Sequence, residues 1–176
     1  VTIMTITTNS TSLLPIDVKT FWQTLAQRAT GITIVTAHGD DGPAGLLGLS
    51  AAHVTANPPT VLISIDKTTT ALGAILSRRH FAVNYLPAGA DAVADAFSGK
   101  AGLSGADRFL DGQWDTLVTG APVFKNALGA FDCVVDDVIP RGDTSIVIGL
   151  AVASRVDASR SPLVFFRGAM RSDLGE

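Results

Sequence analysis

The sequence predicts a mainly β chain with peripheral helices, wrapped into a closed or nearly closed barrel. Short β-branched runs recur along its length, as in Ile32–Ala37, Thr60–Ile65, Phe81–Leu86 and Leu163–Phe166. Two long β-rich segments, Ala127–Val138 and Ser145–Val156, are joined by Pro-Arg-Gly-Asp-Thr at 140–144. Few stretches carry helical apolar spacing, and many antiparallel strands with few helices point to a barrel.

In chain order, Asp17–Ala29 reads as the first helix, with Asp17 as N-cap and Val18, Phe21, Trp22, Leu25 and Ala29 on one face. Thr30-Gly31 ends it. Ile32–Ala37 is a strand, His38–Pro43 a hairpin turn around Asp-Gly, and Ala44–Ser50 the partner strand. Pro58-Pro59 is expected to stop pairing and to set an extended entry into Thr60–Ile65. Thr68–Arg79 reads as a helix with Leu72, Ile75 and Leu76 inward, and Ala90–Phe97 as another with Val93, Ala94 and Phe97 inward. Gly99–Gly120 reads as a long Gly-rich loop with one helical turn near Asp107–Phe109. Beyond it, Phe131, Cys133 and Val135 alternate with Asp132, Val134 and Asp136. Residues 1–16 are expected to form a flexible polar tail without a signal peptide's basic and apolar regions, and 17–176 one domain.

Composition narrows the function. The 176 residues are 47% hydrophobic with mean hydropathy +0.35, enough for a core and for apolar surface shared between subunits. Net charge is −3 with no basic block, which argues against nucleic acid. No apolar run approaches the ~20 residues of a membrane-spanning helix. A single cysteine, Cys133, excludes an internal disulfide framework and fits a reducing, cytoplasmic setting.

Acid–base, metal and nucleophile chemistry find little support. His38 falls in a predicted turn, and His80 follows two arginines at a helix end, where a cation suits the dipole. His53 alone lies near a candidate ligand segment. No His pair has metal-ligand spacing, and Cys133 has no CxxC partner and reads as a core thiol. Asp40-Asp41 and Asp136-Asp137 read as solvated pairs. The serines lack a G-x-S-x-G elbow. Gly45 and Gly48 are followed by a strand rather than a helix, unlike a Rossmann fingerprint.

The informative segment is 42–66, where small residues, hydroxyls and a double proline separate two apolar runs. Such a chain can bring its backbone against a flat ligand while offering no strong acid or base before Asp66. Around it lie hydroxyls and amides: Thr30, Ser50, Thr55, Asn57, Ser64, Thr68, Thr69 and Asn84, with Lys67 beside them. Thr68-Thr69-Thr70 is a natural helix N-cap, and that N-terminus beside Lys67 also suits a phosphate.

The order of these pieces resembles the flavin reductase family, whose members feed two-component monooxygenases. The resemblance runs from about Phe21 to Arg171. It is carried by Ala29-Thr-Gly-Ile-Thr-Ile-Val-Thr36, Gly45-Leu-Leu-Gly-Leu-Ser50, Val54-Thr-Ala-Asn-Pro-Pro59, Val61-Leu-Ile-Ser64 and Phe81-Ala-Val-Asn84. Ala94-Asp-Ala-Phe97, Asp107-Arg-Phe109, Gly142-Asp143, Ile148-Gly149 and Pro162-Leu-Val-Phe-Phe-Arg-Gly168 complete it. It implies a split β-barrel that binds FMN or FAD, as a homodimer, with NADH or NADPH as hydride donor and no catalytic acid or base. On this resemblance the segment from Gly45 to Thr55, with Gly48, Leu49, Ser50, His53, Val54 and Thr55, lines the flavin ring and ribityl chain, Ser50 facing the ring, and Thr30 is a further cofactor-binding residue. Asp66, Lys67 and Thr69 approach its phosphate, with Asn84 nearby and Arg108 a second partner for anionic groups. The family's Gly-Asp-His ends here in Thr144, and its closing Gly-x-Tyr is replaced by Met170, both in the expected nicotinamide region. Three readings follow: a reductase supplying a separate oxygenase by flavin diffusion, a flavin carrier or store with weak NADH oxidation, and a flavin-free dimerisation barrel.

Overall fold

The computed structural model describes residues 13–172; most of the expected tail and the last four residues lie outside them. Its main element is a seven-stranded antiparallel sheet in the order β3-β2-β6-β9-β10-β5-β4. The strands are β2 (Thr33–Gly39), β3 (Gly42–Gly48), β4 (Ala52–Ala56), β5 (Pro59–Asp66), β6 (His80–Tyr85), β9 (Gly129–Arg141) and β10 (Thr144–Val156). The terminal strands β3 and β4 do not pair with each other. The barrel is therefore split along a seam between them, as the resemblance implied. At one point the seam is bridged by a side chain: Ser50 Oγ, just past β3, donates to the Ser64 carbonyl of β5 at 3.0 Å.

Local chemistry accounts for the long hairpins. Asp40-Asp41 alone connects β2 to β3, with Gly42 taking φ +107°, a conformation that favours glycine. Gly142-Asp143 alone connects β9 to β10, with Gly142 at φ +56°. Both turns are shorter than the sequence reading allowed, because backbone pairing continues through His38 and through Pro140-Arg141.

Two apolar clusters flank the sheet. The inner one holds Val35, Ile63, Ile65, Phe81, Val83, Cys133, Val135 and Val147, closed by Leu72 and Ile75 of α2 (Thr70–Arg78). The outer one holds Ile32, Ile34, Leu86, Phe97, Val123, Phe124 and Leu163. It is covered by α3 (Asp91–Ser98), by the single-turn 3-10 helix Gly105–Arg108, and by a hairpin of β7 (Trp114–Thr116) and β8 (Pro122–Phe124). Phe97, Phe109, Trp114 and Phe124 meet there with ring centroids 5.0–5.4 Å apart. A third small sheet pairs β1 (Thr30–Gly31) with β11 (Val164–Phe166) and β11 with β12 (Ala169–Arg171).

Several expectations change. Pro58-Pro59 does not stop pairing: a cis Asn57–Pro58 bond folds the chain back and Pro59 pairs with Ala56, making β4 an edge strand. The 99–120 loop contains β7. His80 is not a helix cap but the first residue of β6, paired with Val134. The helix before it turns Ala71 and Ala74 inward and leaves Leu76 exposed. Asp132 is fully buried, accepting hydrogen bonds from the Val118 and Thr119 backbone N–H groups and from the Thr119 hydroxyl. Helix α1 (Val18–Leu25) has its Asp17 cap as expected, donated to by Thr20 N at 3.0 Å, but it buries none of its residues. Its apolar face is open: Val18 is 72% exposed, Phe21 49%, Trp22 61% and Leu25 40%.

Candidate functional site

The structure sorts the predicted site residues into three places. The first is the seam. Gly48 closes β3, Leu49 and Ser50 follow it, and the Ser50–Ser64 hydrogen bond ties them to β5 two residues before Asp66. Beyond β5, Lys67 donates through its backbone N–H to the Asp143 carbonyl and through Nζ to the Gly142 carbonyl at 2.5 Å. Thr144 pairs with Asp66. The seam therefore joins a stretch of small and apolar residues to a loop carrying an ammonium and several hydroxyls.

That loop is organised by Asp66. Its Oδ1 accepts from the Thr68 N–H at 2.8 Å and from the Thr68 hydroxyl at 2.6 Å. These two bonds, the hydroxyl's first, hold the carboxyl below the usual carboxylate range. An ionised carboxylate only accepts hydrogen bonds, so Asp66 shapes the loop rather than donating to a phosphate. Thr69 is the N-cap of α2 by position, yet its hydroxyl turns back to the Asp66 carbonyl at 2.8 Å and makes no cap bond. The N-terminus of α2 thus carries no side-chain cap and opens beside Lys67.

At the other end of the seam, the Thr30 hydroxyl accepts from Arg28 Nε at 3.2 Å, and Arg28 Nη2 reaches the Leu49 carbonyl at 3.5 Å. Thr30 pairs with Phe165, which pairs with Met170, and Leu49, Phe165 and Met170 pack against the same outer cluster. Arg167 adds a second guanidinium, bonded through Nε to Gln27 Oε1 at 3.0 Å and lying 4.9 Å from the Phe166 ring centroid. Thr144 and Met170, both assigned to the nicotinamide region, lie in different sheets. Arg28 was not singled out from the sequence; its one signal there is a cation immediately before Ala29-Thr30-Gly31.

The second place is the edge strand. His53, Val54 and Thr55 lie on β4, where His53 pairs with Val61. Val61 and Asp66 are five residues apart on one strand, about 17 Å. Thr55 Oγ1 accepts from Asn57 N at 3.2 Å and so shapes the β4–β5 turn. His53 and Thr55 line a shallow depression of about 320 Å³ with Val61, Phe131 and Ala151.

The third place lies away from the loop and the edge strand, where the polar atoms of buried Asn84 and half-buried Arg108 bond within the protein. Asn84 is fully buried: Nδ2 donates to the Ile34 carbonyl and to Thr36 Oγ1, and Oδ1 accepts from Phe124 N at 2.9 Å. It joins β2, β6 and β8. Arg108 is held by two carbonyls, Leu103 through Nε and Gly45 through Nη1, each at 3.0 Å, and clips the 3-10 helix onto β3. Cys133 lies in the inner cluster; burial, then the neighbouring Asp132, pushes its thiol up to about 12, so it stays protonated. Among the described residues, no three His, Cys, Asp or Glu are placed to hold a metal ion, and no helix is long and apolar enough to cross a membrane.

The seam's donor set fits a ligand with a flat ring and an anionic tail: small and apolar chain at one end, an ammonium and an uncapped helix at the other. Known proteins agree. A curated relative, an FMN reductase (NADH) RutF from Ancylobacter novellus, is 32% identical over 142 residues, which cover 81% of this chain and 77% of that protein. A solved structure of a putative flavin reductase from Haemophilus somnus superposes with TM-score 0.84 at 29% identity, covering 89% of this chain and 99% of that one. BorF, the flavin reductase component of a bacterial two-component tryptophan halogenase, superposes with TM-score 0.80 at 28% identity, covering 88% and 97%. The model of the flavin reductase like domain matches residues 25–172, the whole barrel with its seam, and the chain belongs to that family.

Proposed function

We propose that the chain is an NADH-dependent flavin reductase that binds FMN along the seam and passes reduced flavin to a separate oxygenase component. The observation that supports this reading is the Ser50–Ser64 bridge, which ties Gly48–Ser50 to β5 two residues before the Asp66–Thr69 loop. The flavin supplies the redox chemistry, and the protein's part is binding and orientation. Gly48, Leu49 and Ser50 offer backbone to the ring. Lys67 and the uncapped start of α2 take the phosphate, and Asp66 holds their loop in shape. Hydride transfer depends on positioning rather than on a protein acid or base.

A homodimer belongs to this proposal. The open face of α1 is joined by the exposed Leu13, Leu14 and Ile16, and a second apolar surface surrounds Phe131, which packs against the inner cluster and is shared by two depressions. A cytoplasmic location rests on the single buried thiol of Cys133.

Anaerobic addition of NADH to the FMN-loaded protein is expected to bleach the visible flavin absorbance. No bleaching with NADH or NADPH would overturn the reductase reading. Flavin retained through gel filtration without bleaching would support the carrier, for which the Thr144 replacement already argues. Lys67→Ala is expected to weaken FMN about tenfold and riboflavin, which has no phosphate, little, as for loss of one charge-assisted hydrogen bond. Equal losses for both flavins would place the phosphate elsewhere.

A further inference from the structure

We propose that Arg28 is the cation of the flavin site, held beside the ring-binding stretch so that it favours the reduced flavin over the oxidised one. The inference rests on the binding reading above and assigns a residue which that reading did not contain. Arg28 lies in the turn after α1. Its Nε donates to the Thr30 hydroxyl at 3.2 Å and its Nη2 to the Leu49 carbonyl at 3.5 Å, so the guanidinium touches two residues of the cofactor-binding set, one of them in the ring-binding stretch. Among the described residues Arg28 pairs with no carboxylate, and its Nη1 makes no hydrogen bond.

Like Arg28, the other cations near the seam pair with no carboxylate among the described residues, but they are held elsewhere. Lys67 binds the Gly142 carbonyl at the phosphate end. Arg108 binds the Leu103 and Gly45 carbonyls and holds the 3-10 helix on β3. Arg167 binds Gln27 and lies over Phe166. Arg28 bonds the Leu49 carbonyl itself and keeps Nη1 without a hydrogen bond.

The chemistry needs such a charge. Hydride transfer moves two electrons and one proton from the nicotinamide to flavin N5. The nicotinamide gains a positive charge, and the flavin's pyrimidine end takes a negative one. A fixed guanidinium beside that ring is worth more to the reduced state than to the neutral oxidised one, which is how a charge near a flavin tunes its potential. Thr30 acts as a positioning residue by fixing Nε, which directs the rest of the fork away from β1.

The test compares the wild type with Arg28→Gln and Arg28→Lys. Each is titrated with oxidised FMN, and anaerobically with reduced FMN, and its bound-flavin midpoint potential is measured. Arg28→Gln is expected to bind oxidised FMN within about twofold of wild type and reduced FMN about tenfold more weakly, the loss of one charge-assisted hydrogen bond. That ratio lowers the two-electron potential by about 30 mV. Arg28→Lys is expected to recover most of the difference, and the difference should shrink in 1 M salt, because an exposed charge is screened. Equal weakening of both redox forms, or no change in either, would overturn the proposal and leave Arg28 a tie between α1 and β3. A wild type that binds neither form would overturn the flavin reading and this inference with it.

Discussion

His80 opens β6 with its imidazole partly buried and its Nδ1 without a hydrogen-bond partner. Burial is the main influence that pushes its pKa below the usual histidine range. Asp132 opposes that shift, while Arg78 and His38 reinforce it. His38 belongs to this group because the β2–β6 register, continued two pairs beyond Thr36–Ala82, sets it opposite His80. With its folded pKa depressed, His80 contributes stability above its unfolded value of about 6.5, and that contribution is lost as pH falls through the folded value. Urea midpoints are expected to drop between pH 7.5 and 5.5, and His80→Gln should flatten the drop. An unchanged pH dependence in that variant would assign it to other groups. At this scale, sequence reading was weakest where partners are remote. Asn84 and Arg108 look like ligand donors, and no sequence motif marks Asp132. Apart from the local Arg108–Leu103 bond, their partners lie in segments 13 to 63 residues away, which no local pattern reveals.

Elements were legible where a local rule sets them. The long β9–β10 hairpin, the β2–β3 hairpin and helices α2 and α3 follow from β-branched runs, turn residues and apolar spacing. The short strands β4, β7, β8 and β12 were not, because three to five residues carry no usable period and exist only by pairing. Gly149 shows such dependence within a strand that was legible. It sits beside a register shift in β10, and an added Cβ would lie 2.5 Å from Phe81 Cζ and 3.1 Å from Cys133 Cβ. Gly149→Ala is therefore expected to force the Phe81 ring from its place and to destabilise the fold by about 1–3 kcal/mol. Thermal unfolding measures it, and an unchanged Tm would mean that the ring has room to move.

The molecule as a whole leaves its first helix uncovered. The apolar face of α1 is the one its helical spacing predicts, yet among the described residues nothing buries it. A second copy would cover it, and sedimentation is expected to show a dimer at micromolar concentration. Trp22→Lys, on the exposed face, should shift that species toward the monomer; a wild type that sediments only at 18 kDa would contradict the dimer. The sequence by itself determined the β class, the long hairpins, the order of family motifs and the segment that approaches a flat ligand, since these depend on residue type and near neighbours. Only the tertiary structure decided which candidates lie near one another. The seam is made by strands distant in sequence, and the Ser50–Ser64 bond, the burial of Asn84, the hold of half-buried Arg108 on Gly45 and the placement of Arg28 beside Leu49 all depend on contacts formed when those strands meet.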